Sequence, residues 1–229
     1  MKIALLGTAP SSKLLAPFND PSWEIWAVGP ANMDLPRFDV FFEIHGMDTE
    51  LRDPKYADFV KWLKQQPKVY MQEARPDEYP GSVKYPFDEM REKFGRFFWT
   101  SSLSYMLALA IDKKPEAIGL FGVDMSAHEE YGYQRPGCHY FIHEAEKAGI
   151  DLVVPFESDI LFPHPPYGFR EASQMWWKQN TRWKELYGKR SGIEAEIAQL
   201  RAQIAAKEAD AAVLAGAMEQ AQYACNTYS

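Results

Sequence analysis

Six groups of side chains in this chain could bind or move charge. Residues 7–12, GTAPSS, follow an apolar run and offer backbone amides with the hydroxyls of Thr8 and Ser11. Such a loop at the start of a helix favours a phosphate or carboxylate, although plain capping by Ser11 or Ser12 uses the same residues. Thr100 and Ser101, in TSS, form a second start of this kind, and Asn32 follows another apolar run. His45 ends DVFFEIH, where an imidazole suits proton transfer near neutrality or the capping of backbone. Asp124, in LFGVDMS, is placed to hold a ribose hydroxyl, to orient a histidine or to cap its own loop.

The sixth group is the block HEEYGYQRPGCHYFIH, with Tyr131, Tyr133, Arg135, His139 and His143. Arg135 suits a bidentate phosphate or carboxylate, and the tyrosines can donate to phosphate or stack on a base. Either histidine could act as a base. His139 and His143 stand four apart, half of a helical metal site, but HYFIH lacks the glutamate of H-E-x-x-H and no third ligand is spaced nearby, so no metal is expected. The dinucleotide fingerprint G-x-G-x-x-G is absent after Gly7, since Ala9 and Ser12 occupy its later glycine positions. Ser12 also replaces the second glycine of the phosphate loop G-x-x-x-x-G-K-[ST].

These clusters fall at the ends of elements that alternate strand and helix. KIALLG, EIWAVG, DVFFEIH, KVYMQE, AIGLFGVDM and DLVVPF read as strands. SKLLAPF, PKYADFVKWLKQQ, TSSLSYMLALAIDKKP and HYFIHEAEKAGI read as helices between them. The rhythm predicts an α/β fold with a mostly parallel sheet of about six strands flanked by helices. Right-handed crossovers then gather the strand C-termini on one rim, where ligands of open sheets bind. Residues 74–98, rich in proline and aromatics, are expected as a long loop, either wrapped on the surface or closing as a flap.

Composition changes after the sixth strand. Residues 1–168 hold most of the Gly, Pro, Phe and Tyr and read as a nucleotide-binding domain. Residues 169–229 read as a helical extension, with Trp176, Trp177 and Trp183 expected to pack and Gly188 and Gly192 as break points. From Ile193 to Ala221 apolar residues alternate four and three apart, a coiled-coil-like seam interrupted by Lys207. Such a seam needs cover, so residues 190–222 are expected to build a homo-oligomer, with folding across its own domain or a hairpin near Gly216 as alternatives. A net charge of -7 argues against nucleic acid as the partner. Two distant cysteines, no targeting segment and no long apolar run predict a cytoplasmic protein without a membrane span.

ALLGTAPS, WAVG, DVFFEIH, TSSLSYMLALAI and IGLFGVDM followed by EY resemble a large group of bacterial and phage proteins. These share a Rossmann-like fold with bacterial sialyltransferases that use CMP-sialic acid and with archaeal-type 6-hydroxymethylpterin pyrophosphokinases. The resemblance covers roughly residues 1–160. It implies a cytidine nucleotide held by Gly7, Ala9, Pro10, Ser11, Asn32, Thr100 and Ser101, with Tyr131 and Tyr133 on phosphate; a nucleotide or nucleotide-sugar donor of the CMP or UDP type is expected. It also implies a histidine base late in the domain, with His139, His143 and His164 as counterparts. Ser101-Ser102 stands where the sialyltransferases have Ser-Gly. The expected function is transfer from a nucleotide-activated donor, in the first place glycosyl transfer; the alternative is a non-enzymatic nucleotide- or sugar-binding or structural phage protein that assembles through its C-terminal helix.

Overall fold

A computed structural model of the chain describes residues 1–46, 53–125, 129–161 and 174–228. Side chains are described there except those of 129–131, 174–178 and 228. The chain divides into two units, Met1–Phe162 and Pro163–Ser229. The expected boundary at 168/169 lies outside the described residues.

The first unit is built on a parallel sheet of strands β1 (Lys2–Leu6), β2 (Trp23–Val28), β3 (Val40–Phe42), β4 (Val69–Met71), β5 (Ser82–Lys84), β6 (Ala117–Phe121) and β7 (Asp151–Val153). Their order is β5-β4-β3-β2-β1-β6-β7, and every neighbouring pair is parallel. Helices α1 (Ala57–Leu63), α2 (Phe87–Phe94), α3 (Ser102–Asp112) and α4 (Glu129–Lys147) flank it. This is the α/β class that the sequence predicts. The chain runs outward from β1 to β5 and then crosses back to β6 on the other side of β1. The strand order therefore reverses between β1 and β6, the position at which open sheets form a crevice.

Alternation along the strands fixes which face each side chain serves. Ile3, Leu5, Trp26, Val40, Phe42, Ile118 and Leu120 join the core beneath α2, α3 and α4. Ala4, Leu6, Ile25, Ala27, Phe41, Val69 and Phe121 join the opposite core with Phe59 and Leu63 of α1. Helix α3 lies over β1 and β2 and also touches α2 and α4. Nearly all of it is buried, well beyond the single stripe its sequence suggests.

Residues 74–98 are neither a wrapped loop nor a flap. They supply the edge strand β5 and helix α2; Tyr79 and Tyr85 are buried in the two cores and Phe87 and Phe94 pack on one of them, while Phe97 and Phe98 are exposed. Tyr85 is buried and donates its hydroxyl to Tyr105 O at 2.9 Å, while Phe87 stacks on Tyr105. Helix α4 also exceeds expectation, starting ten residues before His139 and passing through Pro136.

In the second unit the expected helix breaks do not occur. Helix α5 (Gln174–Tyr228) runs unbroken through Gly188, Gly192 and Gly216, 55 residues, or roughly 80 Å. Trp183 was expected in a core but is exposed, stacked on Tyr187 along the helix. The side chains of Trp176 and Trp177, and all of His164, lie outside the described residues. No described helix is long and apolar enough to cross a membrane.

Candidate functional site

At the switch point the loops leaving β1 and β6 are tied together. Gly7 N donates to Phe121 O at 2.9 Å, Ala9 N to Gly122 O at 2.8 Å, and Gly122 N to the Ser12 hydroxyl at 2.9 Å. The approach is so close that a Cβ on Gly7 would stand 2.4 Å from Gly122 O. Gly122 itself has φ of +66°, the left-handed region that glycine enters without strain.

This arrangement corrects the reading of SKLLAPF as a helix capped by Ser11 or Ser12. Only a three-residue 3-10 turn, Lys13–Leu15, follows, and Ser12 makes no side-chain cap. Its hydroxyl is buried and spent on Gly122. The dipole of a regular helix is therefore missing from this loop, and anion binding here would rest on individual donors. Thr8 and Pro10 are exposed, and Ala9 is half-buried.

Asn32 anchors the same loop from β2. It closes the 3-10 turn Pro30–Asn32 and is fully buried. Its amide donates to Val28 O at 2.7 Å and to Gly7 O at 3.0 Å. Its Oδ1 has no hydrogen-bond partner among the described residues. A buried amide oxygen without a donor costs about 1–3 kcal/mol. The atom is sealed from solvent beside the glycine loop, so an incoming N–H or O–H would reach it only when that loop moves aside.

Asp124 joins three segments. Its Oδ1 accepts from the Ser11 hydroxyl at 2.8 Å and from Asp159 N at 3.4 Å. Ser158, also buried, donates its hydroxyl to Val123 O. The guanidinium of Arg135 reaches the carbonyls of Asp159 and Ile160, and His139 Nε2 lies 2.7 Å from Ile160 O. A carbonyl only accepts, so His139 Nε2 carries the proton in this bond. The 3.4 Å approach of Arg135 Nε to the same nitrogen cannot then be a good hydrogen bond. His139 presents a donor here, and a role as base would fall to its other nitrogen. His143, one turn on, is exposed and 3.7 Å from Glu146.

Residues 158–160 thus connect Ser11 and Asp124 with Arg135 and His139. Sequence reasoning passed over them. The signal was there: ESDI follows the last strand, on the same rim that singled out Asp124.

The start of α3 lies at this rim too, because α3 leads into a parallel strand. Ser101 caps it, accepting from Ser104 N at 3.2 Å, and Thr100 donates to Gln134 O at 3.2 Å. Helix α4 crosses directly over this start. A Cβ on Gly137 would stand 2.2 Å from Thr100 Oγ1 and 2.4 Å from Phe98 O. The Cys138 thiol lies 3.5 Å from Ser101 Oγ, and burial pushes it up to about 11. Both hydroxyls are therefore used within the fold. Tyr133 is exposed on α4, and the side chain of Tyr131 lies outside the described residues.

At the end of β3 a carboxylate and an imidazole form a pair. Glu43 is 3% exposed, and its Oε1 takes both the backbone N–H of His45, at 3.0 Å, and His45 Nδ1, at 2.6 Å. The ring itself is 53% exposed. A carboxylate on Nδ1 fixes the tautomer and leaves Nε2 as the basic nitrogen. Among the described residues no three His, Cys, Asp or Glu side chains are grouped to hold a metal.

No family model and no curated protein matches the chain. Among solved structures it is similar to the sialyltransferase CstII from Campylobacter jejuni, determined with the substrate analogue cytidine-5'-monophosphate: 14% identity, TM-score 0.43, 79% of this chain and 99% of that one. It is also similar to thiamine pyrophosphokinase from Bacillus subtilis: 15% identity, TM-score 0.40, 68% of this chain and 60% of that one.

Proposed function

We propose that the first unit is a transferase that takes a nucleotide-activated donor, of the CMP or UDP type, into the rim between β1 and β6. Glycosyl transfer is the reaction class. The observation that carries the reading is the buried Asn32 Oδ1 beside Gly7. In this reading it accepts a hydrogen bond from a ribose hydroxyl or a base amine, the amide of Thr8 faces the sugar or phosphate, and Ser11 with Asp124 forms the wall of the site. His45, oriented by Glu43, takes the proton of the acceptor hydroxyl. Such a base is worth about 10² to 10⁴ in rate.

The test is a thermal-shift and calorimetry series with CMP, CDP, UDP, GDP and ATP. One pyrimidine nucleotide should stabilise the protein, by about 2.7 kcal/mol at a hundredfold excess over its Kd. Asn32→Ala should remove that response. Because this variant also strips donors from the Gly7 and Val28 carbonyls, Ser11→Ala serves as a second, milder variant and should weaken it. No response to any nucleotide would overturn the proposal. The second reading, a non-enzymatic protein that assembles through α5, is favoured by the exposed apolar side chains of that helix.

A further inference from the structure

Helix α5 presents a long apolar stripe to solvent within its own unit. Ile193 is 57% exposed, Ile204 56%, Leu214 64% and Met218 72%. These residues recur at 3.5-residue spacing, so the stripe stays on one side only if the helix supercoils around a partner. Isolated exposed leucines are ordinary, but an aligned row of this length is an interaction surface.

We propose that α5 forms a parallel, two-stranded coiled coil with a second copy of this chain, in register from Trp183 to Cys225. The register follows from the spacing. Ile197 and Ile204 fall at position a, and Leu200 and Leu214 at position d, the combination that favours two strands, with Ile193 at d as the exception. The flanking charges then select orientation. In a parallel pair each g residue meets the e residue five places on in the partner helix. Lys189 meets Glu194 of the second copy, and Glu196 meets Arg201. By symmetry each attraction occurs twice, and Gln203 against Glu208 adds no repulsion.

Two cations lie on the seam. Arg190, at a, is held by its own Glu194 at 2.7 Å. Lys207, at d, has its own Asp210 at 3.8 Å and comes beside Glu208 of the second copy. Polar residues at single seam positions weaken such a coil and fix its register. The proposal is independent of the nucleotide reading, since it concerns the second unit alone.

Cys225 supplies the test. It is exposed and falls at position a, facing its counterpart across about 6 Å between Cα atoms, within disulfide reach. Sedimentation of the full chain should give a dimer. Oxidised glutathione should convert it to a covalent dimer, unaffected by Cys138→Ser and abolished by Cys225→Ser. Glu196→Lys should weaken the dimer about tenfold, and adding Arg201→Glu should restore it by recreating the pair with opposite signs. A monomer at all concentrations, as when α5 folds onto its own domain, would overturn the proposal. So would a larger ring, or a dimer that neither cross-links through Cys225 nor answers to the charge exchange, as an antiparallel pair would behave.

Discussion

The Ser11 hydroxyl donates to the Asp124 carboxylate at 2.8 Å, joining the loop after β1 to the loop after β6 across 113 positions of sequence. The same carboxylate oxygen takes Asp159 N, so one side chain holds three segments of the rim.

A double-mutant cycle should measure this link. Hydrogen bonds to a charged group contribute about 1.5–3 kcal/mol. Asp124→Ala should destabilise the protein more than Ser11→Ala, because it also loosens residues 158–160. The double variant should fall short of additivity by about 1.5 kcal/mol in urea unfolding. Additive losses would mean that the bond does not couple the loops in solution.

Glycine positions offer predictions of opposite sign on one helix. Gly137→Ala forces a methyl against Thr100 Oγ1 and the Phe98 carbonyl and should cost about 1–3 kcal/mol. Gly132→Ala, also in α4, meets nothing within 4 Å and should stabilise by up to about 1 kcal/mol, the helix propensity difference. Thermal melting of the two variants on either side of the parent would check both; equal effects would show that α4 does not cross α3 as described. Gly7→Ala belongs with the first, its obstacle being the backbone carbonyl of Gly122.

If the nucleotide reading holds, the Glu43 and His45 pair governs turnover rather than affinity. His45→Ala should lower kcat by on the order of 10² or more while nucleotide Kd changes by less than about threefold. Glu43→Gln should lower kcat as well, since the amide no longer stabilises the imidazolium formed as the proton is taken. Kinetics with calorimetry would separate the two effects, and full turnover in His45→Ala would remove it from the chemistry.

The buried framework was legible because its signals are local. KIALL and AIGLF are continuous apolar runs, and such runs fit strands covered on both faces. Strand β5, SVK, was hidden: an edge strand of three residues with a charge has no periodicity to read. Helix α4 was cut short at His139 because Gly and Pro in GYQRPG oppose a helix that its packing on α3 and β7 sustains. At the rim, topology alone gathered Gly7, Asn32, His45 and Asp124 as candidates. Which hydroxyls the fold consumes was not legible, since Ser12 and Ser101 are spoken for by Gly122 and Ser104, partners that only tertiary contact identifies.

Stability should fall in alkali because two buried acids, Cys138 and Tyr85, keep their protons longer in the folded protein. Burial raises the Cys138 thiol from an ordinary 9.0 to about 11 and raises the Tyr85 phenol from an ordinary 10.0. Both are neutral when protonated, so the folded state holds these protons to higher pH than the unfolded chain does. Their contribution is complete below pH 9 and is lost as pH rises through the folded values, because the unfolded chain ionises first. For Cys138 the loss amounts to ~3 kcal/mol between pH 9 and 11. Urea midpoints should therefore be level from pH 7 to 8.5 and drop steeply by pH 10.5. Cys138→Ala should flatten the part of that slope that begins at pH 9, and Cys225→Ala, at an exposed thiol, should leave it unchanged. A midpoint independent of pH up to 10.5 would show that neither group is buried from water in the folded protein.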